Sequence, residues 1–177
     1  LYDVTASCMI TINPAPSPPW PGWPAPQWCP MTGGPAGFYD IIYYPGGCPD
    51  LVECWYHRNN GSLSHEWPFC GGSINGMEKE YYESGELENE MPWENGERNG
   101  VQKWYYKSGQ LGAEIPWVDD EYHGTAYHYR ENGLLYWEVS YQNDLKHGEE
   151  KRYDPDGNMT HCSIYENGTY VGSCMPE

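Results

Sequence analysis

The sequence is short of three things. Phenylalanine occurs twice among 177 residues, against 17 tyrosines and 9 tryptophans. Lysine and arginine number 9 against 26 acidic residues, giving a net charge of -17. No apolar run approaches the ~20 residues of a membrane-spanning helix. The shortage of cations excludes a general binder of nucleic acid or of anionic membranes, both of which need the opposite sign. The chain is 38% hydrophobic yet 16% aromatic, which points to half-exposed rings on a thin sheet rather than a thick apolar core. There is no Ser/His/Asp or Cys/His arrangement and no phosphate loop, so the expectation is a non-enzyme without a cofactor. The chain starts at Leu1 with no basic-then-apolar leader, as a mature, processed chain would.

What the sequence has is a period. Gly76, Gly100, Gly124, Gly148 and Gly172 are each 24 residues apart, and Gly85, Gly109, Gly133 and Gly157 keep the same interval. So do Tyr81, Tyr105, Tyr129 and Tyr153, and so do Leu87, Leu111, Leu135 and Met159. A fixed period of this size marks a repeat architecture in which each unit is stable by stacking on its neighbours. Two kinds of turn signal alternate: Ser84-Gly85, Ser108-Gly109, Asn132-Gly133 and Asp156-Gly157, then Asn95-Gly96, Asp119-Asp120, Asn143-Asp144 and Asn167-Gly168. Both are read as two-residue type I′ hairpin turns, which need positive φ. The segments between them have strand length and aromatic content. The fold class expected is all-β: an elongated, single-layer antiparallel β-meander with two strands per unit.

"WENGERNGVQKWYYKSGQL" (Trp93 to Leu111) and "YQNDLKHGEEKRYDPDGNM" (Tyr141 to Met159) resemble the MORN repeat, particularly its bacterial antitoxin-associated variant. Usual MORN units carry a second glycine two places after the His-Gly pair, whereas Gly100 is followed by Val101 and Gln102; that departure favours the variant. The resemblance covers about residues 76–173 and implies a scaffold or binding surface more than a particular activity. Residues 37–75 read as degenerate early units, with Gly37 and Gly61 in period with Gly85. Counted from there, about twelve strands are expected. The organisation is then an orphan strand over 1–12, a Pro/Trp-rich extended arm over 13–36, degenerate disulfide-supported repeats over 37–75, and the MORN-like array over 76–177.

In the orphan strand Val4, Ala6, Cys8, Ile10 and Ile12 alternate with polar residues and Met9. Asn13 to Pro30 has the composition of polyproline II, with Trp20, Trp23 and Trp28 along it. These residues form the candidate assembly arm. The three indoles are expected to dock on an aromatic column, Phe69, Trp93, Trp117, Tyr141 and Tyr165, which also suggests a platform for stacking sugar rings. Glu66, Glu90, Glu114 and Glu138 form a second column. Two-residue loops would put Lys79 opposite Glu90 and Lys103 opposite Glu114, so ordinary ion pairs are expected rather than a calcium site or an acid catalyst.

Seven cysteines suggest an oxidising compartment. Across the last turn Cys162 falls beside Cys174, and by the same count Cys48 falls near Cys70; Cys8 with Cys29 is added without a register argument. No C-x-x-C occurs and the histidines do not cluster, so no metal site is expected. Sequons at Asn60, Asn158 and Asn167 lie in or beside turns, as glycosylation sites of a secreted protein would. The functional expectation is a secreted structural protein that self-assembles head to tail into an extracellular filament, because an orphan strand and an open sheet edge are complementary. An acidic, antitoxin-like partner-binding module and a carbohydrate-binding protein are the alternatives.

Overall fold

The computed structural model describes residues 39–43, 51–57 and 59–174. Strands β1 (Tyr39–Tyr43) and β2 (Leu51–Tyr56) lead into β3 (Leu63–Cys70). Three units then repeat one plan, a two-residue tip, a six-residue strand and an eight-residue strand. They are β4 (Ser73–Ile74), β5 (Gly76–Tyr81) and β6 (Leu87–Glu94); β7 (Glu97–Arg98), β8 (Gly100–Tyr105) and β9 (Leu111–Val118); and β10 (Glu121–Tyr122), β11 (Gly124–Tyr129) and β12 (Leu135–Gln142). The last unit fuses tip and strand into β13 (Leu145–Tyr153), before β14 (Met159–Glu166) and β15 (Thr169–Ser173). Together they make one open antiparallel meander, with β4, β7 and β10 pairing beside the main path. The orphan strand and the arm expected over residues 1–36 lie outside the described residues.

The two turn families differ, which corrects the expectation of one kind. Asn95-Gly96, Asp119-Asp120, Asn143-Asp144 and Asn167-Gly168 have positive φ at both central residues, as type I′ turns require. At the Ser-Gly loops Tyr82 N–H donates to Glu86 O and Gly85 N–H to Tyr82 O. That is a three-residue loop with glycine in the left-handed region and a bulge beside it. The bulge between Glu80 and Tyr81 returns the strands to the two-residue register, so Lys79 still faces Glu90 and Lys103 faces Glu114.

Successive units touch along a short seam. Only Asn89 with Trp104 and Glu90 with Lys103 are paired between β6 and β8, and the same two positions join β3 to β5 and β9 to β11. Beyond the seam the chain bends: the N–H groups of Asn75, Asn99 and His123 donate to Pro68 O, Pro92 O and Pro116 O. The next residue is the glycine that sets the period. Gly100 has φ +120°, and a Cβ there would lie 2.9 Å from Pro92 Cγ. The interval of 24 thus records a backbone that must pass over the proline of the previous unit. In β12 of the third unit Ser140 stands where the earlier units have proline, and the following strand, β13, runs through unbroken with a register shift beside it.

A buried cluster of Val52, Cys54, Tyr56 and Leu63, with Tyr81 against it, anchors the early strands. Elsewhere burial ranges from none to three residues per strand, with Met91, Ala113, Ala126 and Val139 among them. Gly100→Ala should lower stability by about 2 kcal/mol through strain and the proline contact, read as a fall in thermal midpoint. Gly172→Ala, where nothing lies within 4 Å and φ is ordinary, should stay within about 0.5 kcal/mol of the parent.

Candidate functional site

The glutamate column is built into the seams, and not by lysine alone. Tyr105 Oη donates to Glu90 Oε2 at 2.9 Å, Tyr129 Oη to Glu114 Oε2 at 3.2 Å, and Tyr153 Oη to Glu138 Oε1 at 3.1 Å. Tyr81 bonds Glu66 in the same way, and Glu66 is buried. Each bond ties a tyrosine to the glutamate of the preceding unit. Within this column the ion pair formed is Lys151–Glu138, at 3.1 Å; Lys79 and Lys103 face their glutamates without forming one. The expected Lys79–Glu90 and Lys103–Glu114 pairs are therefore replaced by tyrosine bonds, because a long phenol spans the seam where the neighbouring carboxylate sits.

Two further ladders keep the period. Tyr82 Oη donates to Tyr105 O, Tyr106 Oη to Tyr129 O, and Arg130 to Tyr153 O. At the opposite end Gly96 N–H donates to Ile74 O, Asp120 N–H to Arg98 O, Asp144 N–H to Tyr122 O, and Gly168 N–H to Lys146 O, so each type I′ turn rests on the tip before it.

From Trp117 onward the aromatic column is occupied by its own neighbours. Arg98 lies 3.8 Å over Trp117, whose other contact is Tyr122 at 4.1 Å, and Tyr122 packs on Tyr141 at 5.4 Å. Lys146 sits over Tyr165, which meets Tyr170. Trp117 is only 5% exposed, so this ring offers no face to a sugar. The indole N–H groups are taken too: Trp93 donates to Glu78 and Trp117 to Gln102. The interleaved residues Arg98, Tyr122, Lys146 and Tyr170 were not singled out from the sequence. Their own 24-residue spacing, five places after the aromatic column, was the signal.

Glu150 is the most enclosed acid of the last unit. Its carboxylate accepts from Trp137, Lys146 and Arg152 and is 2% exposed. Burial pushes it up, and the cationic partners outweigh burial, so it lies below the usual glutamate value. Such a carboxylate is a structural clamp, not an available acid.

Cys162 and Cys174 form a disulfide with Cα atoms 5.1 Å apart. Cys54, unassigned from the sequence, and Cys70 are disulfide-bonded as well; Cys8, Cys29 and Cys48 lie outside the described residues. Glu149 approaches Cys162 and Cys174 closely enough to form a three-donor cluster, but both sulfurs are held in the bridge. Among the sequons, Asn60 Nδ2 donates to Glu83 O and Asn158 Nδ2 to Asp154, while Asn167 occupies the exposed last turn. Val4, Ala6, Ile10 and Ile12, and the indoles of Trp20, Trp23 and Trp28, also fall outside the described residues. At the C-terminal edge β15 pairs with β14 alone among described strands, and Tyr170 and Val171 are 57% and 51% exposed.

Burial and the facing carboxylate of Glu90 push the Tyr105 hydroxyl up to about 12. A raised phenol favours the protonated fold, so its contribution is complete below the unfolded value near ~10 and fades as pH rises towards 12. Tyr105→Phe should cost about 1 kcal/mol at neutral pH. Denaturant titrations between pH 7 and 12 should find that the variant loses less stability across the alkaline limb than the parent.

Three stretches, residues 74–95, 98–119 and 146–167, match the family described as the MORN repeat variant. No curated protein matches the chain. Residues 122–143, between the second and third matches, have the same plan, with Tyr127 facing Glu138 as Lys79 faces Glu90. They differ at Ala126 and Ser140, where earlier units have Glu78 or Gln102 and a proline. Sequence match and geometry agree that this chain carries an array of MORN repeat variant units.

Proposed function

We propose that the protein is an extracellular, non-catalytic structural repeat protein whose copies join head to tail at the open β15 edge. The observation that carries this reading is the exposure of Tyr170 and Val171 on the last strand. Terminal repeats of such arrays normally carry a polar outer face, and an exposed apolar edge strand is a template for another strand. The joining element is the alternating segment Val4 to Ile12 of a second copy.

The disulfides support an oxidising compartment. The periodic carboxylates support a non-catalytic role, since Glu90, Glu114, Glu138 and Glu150 are each bonded to a tyrosine, tryptophan or cation of the array. The contact is heterologous, so the product is a filament unless it closes.

Sedimentation velocity and electron microscopy of the full chain test the proposal. Linear assemblies are expected, and both deletion of residues 1–12 and Val171→Lys should reduce them to single protomers. A monomeric full chain, or assemblies that survive both changes, would overturn it.

A further inference from the structure

On the face that carries the Glu66–Glu90–Glu114 column, the next row across the strands is apolar. Met77 faces Pro92 and Val101 faces Pro116. Met77 is 42% exposed and Val101 46%, at equivalent places in successive units. The row ends in the following unit, where Thr125 faces Ser140 and their hydroxyls hydrogen-bond at 3.0 Å. Upstream the row continues as Val52 facing Pro68, both buried, so its exposed strip is two units long, Met77 with Pro92 and then Val101 with Pro116.

We infer that this strip is the docking site for the Pro/Trp-rich segment of the same chain, with Trp23 and Trp20 seated on successive units. The spacing carries the assignment. Met77 and Val101 lie two strands apart along the path β5, β6, β8, which is ~9.6 Å at ~4.8 Å per strand. A polyproline II segment has three residues per turn and rises ~3.1 Å per residue, so Trp20 and Trp23 share one face ~9.3 Å apart. Two in-phase indoles meet two apolar steps. Trp28, five residues from Trp23, is out of phase and remains in solvent.

Chemistry agrees with spacing. Asp3 is the only charge in the first 36 residues, so the segment brings no repulsion to an acidic sheet. Glu94, two residues along β6 from Pro92, and Glu121, beside the end of β9, are exposed acceptors bordering the strip. Indole N–H to carboxylate is a pairing the sheet already uses, at 2.7 Å from Trp93 to Glu78 and 3.1 Å from Trp137 to Glu150. The aromatic column on the other face is filled at Trp117 by Arg98 and Tyr122, which leaves the aliphatic strip as the open receiving surface. This inference goes beyond head-to-tail joining and stands without it.

Hydroxyl-radical footprinting with peptide mass spectrometry tests it on the full chain and on Val171→Lys at a concentration where that variant is a single protomer. In both, Trp20 and Trp23 should oxidise at least threefold more slowly than in the double variant Met77→Glu/Val101→Glu, while Trp28 is unchanged. Because Met77 and Val101 are exposed, the double variant should keep the parent's thermal midpoint. A second variant, with one alanine inserted between Pro21 and Gly22, should free one of the two indoles and leave the other shielded. Equal oxidation of Trp20 and Trp23 in parent and double variant would overturn the inference. So would shielding seen only in assemblies, which would place the segment on a neighbouring copy. Neither result bears on whether assemblies form.

Discussion

The hydrogen bond from a tyrosine hydroxyl to the glutamate of the preceding unit is what the rest of the array depends on. A single-layer meander whose strands bury few residues each has little hydrophobic free energy to join its units. Two residue pairs along each of the first three seams provide little backbone bonding either. Tyr105 to Glu90 and Tyr129 to Glu114 supply charge-assisted bonds at two of these thin seams, and Tyr153 to Glu138 does so at the longer β12–β13 pairing. Such bonds are worth roughly 1.5–3 kcal/mol each when well desolvated, and less where partly exposed. They also explain how a chain of net charge -17 remains folded: part of the charge is engaged as acceptor, and Lys151 and Arg152 sit where the last unit needs cations.

The seam is thin because the backbone turns away from it. At Pro92 there is no N–H to extend the pairing with the next strand, and the carbonyl is taken by Asn99 N–H. Gly100 then crosses the proline ring at a φ that an L side chain rarely adopts. This kink separates each short tip from its strand and lets the type I′ turns rest on one another. Where Ser140 replaces proline the kink is absent and β13 is continuous. The Glu150 clamp, drawn from β12 through Trp137 and from β13 itself, holds the altered unit.

The fold was legible because four columns shared one interval, and hydrophobic alternation on so regular a frame leaves little choice of topology. The turn types were less so. Ser-Gly and Asn-Gly both permit positive φ at glycine, but Asn95 and Asp119 also take positive φ themselves, whereas a three-residue loop asks it of Gly85 alone. Asn132-Gly133 and Asp156-Gly157 close in the same three-residue loop as the Ser-Gly pairs, so the residue before the glycine does not set the turn type. The Cys162–Cys174 bridge followed from register. The tyrosine ladder did not, because Lys79 and Glu90 are true cross-strand neighbours and the competing phenol arrives from one strand further. Fifteen residues separate each tyrosine from its glutamate, and that constant offset between two periodic columns was available to be read.

The aromatic column bears on what such an array can bind. Rings recurring at two-strand spacing look like a platform as long as only their own column is considered. A second column, with Arg98, Tyr122 and Lys146 five places on, interleaves with it, so that Arg98, Trp117, Tyr122 and Tyr141 stack in order and Lys146 covers Tyr165. Arginine over a desolvated tryptophan contributes roughly 1–2 kcal/mol, and an incoming sugar would have to displace it. The aromatic face is therefore committed to cohesion between units. Among the described residues the columns end at two places: the aliphatic row from Met77 to Pro116 stops at Thr125, and at the last described strand Tyr170 has Tyr165 on one side and no further described strand on the other.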